Sequence, residues 1–207
     1  MCYYGIMNIL KAIYNRRSIR CFTTQKPKRA QLESLIEAAL QAPSAENSQP
    51  WHFTIVQEKS LREQITALAV EAGKHYYSPR KQELQVKFDK MGEERCKEMV
   101  ERFTSGSLFS FLETAPALIA VSSEESLFAH SSSGAAIQNL MLAALELGLG
   151  TCWTGIITTH PKSACALQQL LDISPQNTFV ALLAVGYPAQ QPNARERKNV
   201  ADVSTWF

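Results

Sequence analysis

Two short stretches hold the groups best suited to chemistry. Arg16-Arg17-Ser18-Ile19-Arg20 crowds three guanidiniums and a hydroxyl into five residues, just after a short apolar stretch that reads as a helix. Ala42-Pro43-Ser44-Ala45-Glu46-Asn47-Ser48-Gln49-Pro50-Trp51-His52-Phe53 is a polar turn between a helix and a strand, rich in small hydrogen-bonding groups. Guanidiniums grip phosphate through paired, charge-assisted bonds, and a turn of small residues lets backbone amides approach a flat ligand. Together they point to a phosphorylated cofactor rather than to bare substrate. A second basic knot, Arg195-Glu196-Arg197-Lys198, lies in the C-terminal tail and suits the same phosphate. Each cluster also has a plainer reading: a basic helix end favoured by the helix dipole for the first, a basic surface tail for the second.

Other combinations carry less. Thr151-Cys152-Trp153-Thr154-Gly155 reads as a strand end whose glycine either bends the chain or lets its backbone lie against a planar ring. Neither Cys152 with His160 nor Ser132 with His130 reads as a catalytic pair, since no third group orients them and no G-x-S-x-G elbow is present. There is no GxGxxG after a strand and no GxxxxGK[ST], so neither a Rossmann nor a Walker phosphate site is supported. The five cysteines (Cys2, Cys21, Cys96, Cys152, Cys165) are odd in number, scattered and without CxxC, which fits reduced thiols in a cytoplasm. His52, His75, His130 and His160 show no HxxxH or HExxH spacing, so no protein metal site is expected.

The elements that must position these groups follow from pattern. Leu32, Leu35, Ile36, Ala39 and Leu40 recur at helical spacing from Arg29 to Ala42, where Pro43 stops the helix. Trp51 to Gln57 reads as a strand. From Ser60 to about Phe111 the chain is polar and helix-prone, broken near Ser78-Pro79 and Thr104-Ser105-Gly106, and its charge run from Lys81 to Arg102 reads as a solvated face. Any role of this stretch would be as a lid. Ala117 to Ser122 is a buried strand, and Ser131-Ser132-Ser133 would cap a central buried helix ended by Gly148 and Gly150. The segment 134–140 reads mainly as close helix packing. Thr151 to Ile157 reads as a strand, Pro161 to Leu171 as a helix and Phe179 to Gly186 as a buried strand. Strands separated by helices imply a mixed sheet flanked by helices.

The 207 residues suffice for one domain with a buried core, with 45% hydrophobic and 19% charged residues. A formal net charge of +2 gives no reason to expect nucleic acid or an acidic membrane surface. No apolar run approaches the roughly 20 residues that span a bilayer. Residues 1–7 do not read as a signal peptide, and either Met1 or Met7 could be the natural start.

In order, these pieces resemble the nitroreductase family of FMN-dependent, NAD(P)H-oxidising oxidoreductases. The resemblance rests on Arg16 to Phe22, Ala42 to Phe53, Gly134 to Gly155, the Val185-Gly186-Tyr187-Pro188 strand end and the basic tail, and it is weakest over 60–115. It implies an α+β fold, with a central mixed, largely antiparallel sheet flanked by helices, in one domain over 1–207 with 60–115 as a variable helical lid. It implies a cytoplasmic homodimer with FMN at the subunit interface and NAD(P)H as electron donor. Arg16, Arg17, Ser18 and Arg20 would hold the phosphate and the pyrimidine side of the ring, with Arg195 and Arg197 adding to the phosphate grip. Pro43, Ser44, Ala45 and Asn47 would reach the same flavin from the other subunit. Trp153, Thr154 and Gly155 would line the ring, with the Thr154 or Gly155 amide near N5 and O4. Ser78 and Lys81 stand where some members place an Asn and a Lys against the pyrimidine, so the Asn contact is changed. The expected chemistry is hydride transfer through flavin N5 to a nitroaromatic or quinone. Enone reduction, dehalogenation, flavin breakdown and a non-catalytic flavin-binding role are the alternatives. No side chain is expected to act as an acid or base.

Overall fold

The computed structural model describes residues 9–207; the choice between Met1 and Met7 lies outside them. The described residues form helix α1 (Ile9–Asn15), then α2 (Arg29–Leu40), strand β1 (Trp51–Val56) and the helices α3 (Lys59–Tyr77), α4 (Lys81–Phe88), α5 (Glu93–Thr104) and α6 (Phe111–Thr114). The chain continues with β2 (Ala117–Glu124), α7 (Ala129–Glu146), β3 (Gly150–Thr154), α8 (Pro161–Leu170) and β4 (Asn177–Gly186). The strands form one sheet in the order β1-β2-β4-β3.

Every neighbouring pair in that sheet is antiparallel, which corrects the expected mixed sheet. Helical connections do return β2 and β3 in the same direction, but β4 inserts between them and pairs antiparallel with both. One parallel contact remains, an isolated bridge between Ser18 and Thr151 on the edge strand β3.

The alternation of the central strands divides the core in two. Ala117, Ile119 and Val121 of β2, with Leu183 and Val185 of β4, pack with α2 and α7 on one face. Leu118, Ala120, Leu182 and Ala184 pack with α3, α6 and α8 on the other. α7 buries Ala136, Ile137, Leu140, Met141 and Ala144 at helical spacing. Its end is closed by Gly148 at φ 68°, whose amide bonds Leu145 O while that of Leu149 bonds Ala144 O, satisfying carbonyls the helix leaves open. The helix starts earlier than expected, at Ala129, so the three serines lie inside its first turns and do not cap it. The Ser131 hydroxyl instead donates to Phe128 O.

The helical stretch between β1 and β2 divides where the sequence breaks it, with one further break at Asp89–Met91, followed by Gly92 at φ 86°. Gly106 lies so close to α3 that an added Cβ would sit 2.0 Å from Val70 O. The chain leaves α3 at Ser78 and returns at Thr104, and the Ser78 hydroxyl donates to Thr104 O at 2.9 Å.

Candidate functional site

The N-terminal arginine segment is stitched to the sheet. The Ile19 amide donates to Thr151 O at 2.9 Å, and that of Thr23 to Tyr187 O at 2.9 Å. Ile19 itself is buried, and a Cβ on Gly150 would stand 2.6 Å from its Cγ1. Only glycine lets the segment lie this close to β3. Ser18, Ile19 and Arg20 are thereby held along an open sheet edge.

The C-terminal tail closes over the same place. Arg16, Arg17, Ser18 and Arg20 line one cleft of about 670 Å³ with Arg195 and Arg197, so two clusters some 180 positions apart in sequence meet. Gln190, Gln191 and Asn193 also face it, as does Arg102 from the last turn of α5. Among the described residues, no ion pair joins a carboxylate to Arg16, Arg17, Arg20, Arg195 or Arg197. Arg17 also serves the plainer role, its Nη1 donating to Tyr14 O at 2.6 Å at the end of α1, while its Nε is buried without a partner. Arg20 lies with its Cζ 5.7 Å from the centroid of the Phe111 ring. Beside this cluster, burial pushes the Cys152 thiol above its ordinary pKa, opposed by the charges of Arg20 and Arg16.

Trp153 is 41% exposed at the end of β3. Its ring stands over the first turns of α7, where a methyl on Gly134 would come within 3.7 Å of it. Antiparallel strands turn alternate residues' backbone groups toward and away from a partner. Since Thr151 gives its carbonyl to Ile19, the Trp153 amide faces the open edge and the Thr154 amide faces β4. Gly155 follows as the first residue past the strand, partly exposed.

The Pro43 to Asn47 turn is not part of this chain's arginine cleft. It is a tight 3-10 turn over Ala45–Asn47; Glu46 and Asn47 within it and Gln49 just beyond it take φ of 55°, 54° and 45°. The Ser44 hydroxyl accepts the Gln49 amide at 3.0 Å. Three non-glycine residues in left-handed backbone cost on the order of 1 kcal/mol or more each, and such strain clusters at functional sites. Ser78 and Lys81 also lie outside the arginine cleft: the Ser78 hydroxyl is engaged by Thr104, and Lys81 lines a separate groove between α4 and α5.

Arg102, Gln190, Gln191 and Asn193 were missed by sequence reasoning. Arg102 sits in the charge run read as a solvated face; its only signal was its place beside the Thr104 break. Among the described residues no group of three or more His, Cys, Asp or Glu could hold a metal ion, and no helix is long and apolar enough to cross a membrane.

The family model described as "Nitroreductase family" matches residues 13–187. A protein of Archaeoglobus fulgidus, named provisionally as an NADH dehydrogenase/NAD(P)H nitroreductase, is 30% identical over 194 residues, covering 90% of this chain and 89% of that one. The crystal structure of a BluB-like flavoprotein from Clostridium difficile superposes with a TM-score of 0.74 at 25% identity, covering 98% of this chain and all of that one (100%). An oxidised iodotyrosine deiodinase, solved with FMN and 3-iodo-L-tyrosine, superposes with a TM-score of 0.71 at 25% identity, covering 93% and 96% of the two chains.

Proposed function

The chain belongs to the nitroreductase family, and from that premise we propose that it is an FMN-dependent oxidoreductase that takes electrons from NAD(P)H and delivers them to an electron-poor acceptor such as a nitroaromatic or quinone. The observation that carries the reading is the cleft where Arg16, Arg17, Ser18 and Arg20 meet Arg195 and Arg197 without carboxylate partners. Unpaired, converging guanidiniums, one with an orphaned buried Nε, suit a doubly charged phosphate. When bound, FMN supplies hydride acceptance and donation at N5.

The residues of this chain bind and orient. Arg16, Arg17, Arg195 and Arg197 hold the phosphate, Ser18 adds a hydroxyl, and Arg20 places positive charge at the pyrimidine side of the ring. Trp153 and Gly155 line the ring; Gly155 is the better amide donor of the two expected, because Thr154 turns its amide into the sheet. Pro43, Ser44, Ala45 and Asn47 complete the site from the second subunit of a cytoplasmic homodimer. The strained turn, which lies outside the arginine cleft of its own chain, and the exposed Ile9, Ile13 and Tyr14 of α1 support that assembly. No side-chain base is required.

The similarity to a deiodinase favours one alternative, reductive dehalogenation by the same flavin. One experiment tests all of these readings. The purified protein should be yellow, release FMN rather than FAD on denaturation, and bleach anaerobically on addition of NADPH or NADH. Release of FAD, or no flavin after reconstitution with FMN, overturns the reading. A flavin that neither donor bleaches leaves a binding protein. Turnover of halogenated phenols but not of quinones selects the alternative.

A further inference from the structure

We propose that Arg102 is a specificity residue for the electron donor, recognising the adenosine 2′-phosphate that separates NADPH from NADH. The inference rests on the flavin reading above and names the discrimination that the same cleft would exert.

The first observation is a surplus of charge. Six guanidiniums, those of Arg16, Arg17, Arg20, Arg102, Arg195 and Arg197, line one cleft. A phosphomonoester carries about −1.5 to −2 charges at neutral pH, so FMN alone leaves most of that positive charge unanswered. Uncompensated like charge destabilises the compact state. A second, strongly anionic ligand answers the surplus. Of the two nicotinamide donors, NADPH carries a further phosphomonoester beyond the pyrophosphate they share.

The second observation is where Arg102 stands. Arg102 is exposed like Arg20, Arg195 and Arg197, but it alone of the six comes from helix α5, while the others come from the N-terminal segment and the tail. A cofactor that stays bound is matched to the five arginines of those two segments, and a ligand that enters and leaves on each turnover to the one on the separate helix.

The plainer explanation for Arg102 is weak. Its Nη1 lies 3.9 Å from Glu98 Oε1, with the two side chains 48% and 66% exposed, and exposed pairs of this kind contribute little. Its position in the last helical turn suits the dipole, which explains a cation there but not one that faces five others. The planar fork of arginine also fits phosphate in a way lysine does not.

The test uses flavin-loaded protein: wild type, Arg102→Gln, Arg102→Lys, and Arg95→Gln as a control for charge elsewhere on α5. KM for NADPH and NADH is measured with a neutral quinone, NADP⁺ and NAD⁺ binding by calorimetry, and the FMN dissociation constant by fluorescence. Loss of one charge-assisted bond should raise the NADPH-to-NADH ratio of KM values about tenfold or more, with NADP⁺ binding weakened to match. Arg102→Lys should restore part of the preference, and Arg95→Gln should leave the ratio as in wild type. The inference is overturned if both donors shift together, if neither shifts, or if the FMN constant rises tenfold, which would return Arg102 to the cofactor phosphate. A change confined to the KM of an anionic acceptor also overturns it, by assigning the residue to that ligand. Wild-type protein that holds no flavin, or is bleached by neither donor, defeats the parent reading as well. Reduction by both donors with no effect of Arg102→Gln defeats this inference alone.

Discussion

The two walls of the arginine cleft are built by opposite means. The N-terminal wall, 16–23, is fixed to the sheet by backbone bonds to Thr151 and Tyr187 and by Ile19 seated against Gly150. Among the described residues, the C-terminal wall makes its last backbone bond to the body at Ala189, which donates to Cys21 O. Beyond it the bonds are local: Arg197 Nη1 donates to Glu196 O, and the Asn199 amide to Asp202. One set of guanidiniums is preorganised, and the other must lose freedom when it binds. The same number of charges should therefore yield more affinity from the first wall.

The largest effect expected is on the wall itself. Ile19→Ala removes a side chain that is 7% exposed and should cost about 2–4 kcal/mol of stability, read as a lower denaturation midpoint. The same variant should weaken FMN binding although it removes no polar group. Unchanged flavin affinity in a destabilised protein would show that the wall's rigidity is irrelevant to the cofactor.

The two walls are compared directly by Arg16→Ala and Arg197→Ala. A charge-assisted hydrogen bond contributes roughly 1.5–3 kcal/mol, so each loss should weaken FMN tenfold to a hundredfold. Arg16→Ala should lie at the upper end of that range, and Arg197→Ala and Arg195→Ala at the lower. Equal losses in fluorescence titrations erase the distinction. No loss for either tail variant reduces the tail to a basic surface.

A mixing experiment asks whether a third wall comes from another copy of the chain. Arg16→Glu and Asn47→Trp should each abolish flavin binding. After subunit exchange, a mixed dimer holds one doubly damaged site and one intact site, so activity should return to about half of that of the wild-type sites among mixed dimers. A fully active, flavin-loaded monomer by light scattering refutes the shared site.

The smallest effect is a pH dependence. Burial raises the Cys152 pKa in the folded protein, against the pull of Arg20 and Arg16. The unfolded thiol ionises first, near its ordinary pKa of about 8.5, so stability is full below that value and falls as pH rises through the folded pKa. Cys152→Ala should flatten the alkaline limb of the stability profile measured by urea unfolding. A limb of unchanged slope would assign it to other groups.

What could be read from the sequence followed the strength of local signals. Helix α2, strand β1 and strand β4 fall within a few residues of expectation, because their apolar periods are clean and Pro43 and Gly186 punctuate them. The arginine clusters are legible from residue type, but their meeting depends on the Phe22–Pro188 bridge and the bond from the Ala189 amide to Cys21 O, which no local pattern records. Glu46 and Gln49 gave no hint of left-handed backbone, since neither is a residue that favours it. The start of α7 is not legible because its N-cap, Phe128, is not a capping residue type, whereas the three serines inside the helix are. Arg102 was lost among solvated charges, because a single position in an amphipathic run does not reveal which cleft it faces.

The hydrogen bond from Ser78 to Thr104 makes the stretch between them a closed cassette. Its entrance and exit are fastened to each other, so residues gained or lost inside it do not alter the spacing of the strands on either side. For a flexible loop, each doubling in length costs only about 0.6 kcal/mol in closure entropy. The fold can thus exchange the helices between Ser78 and Thr104 with little disturbance to the sheet. Within 60–115 only the stretch between Ser78 and Thr104 is closed off in this way, whereas α3 and α6 on either side of it pack into the core.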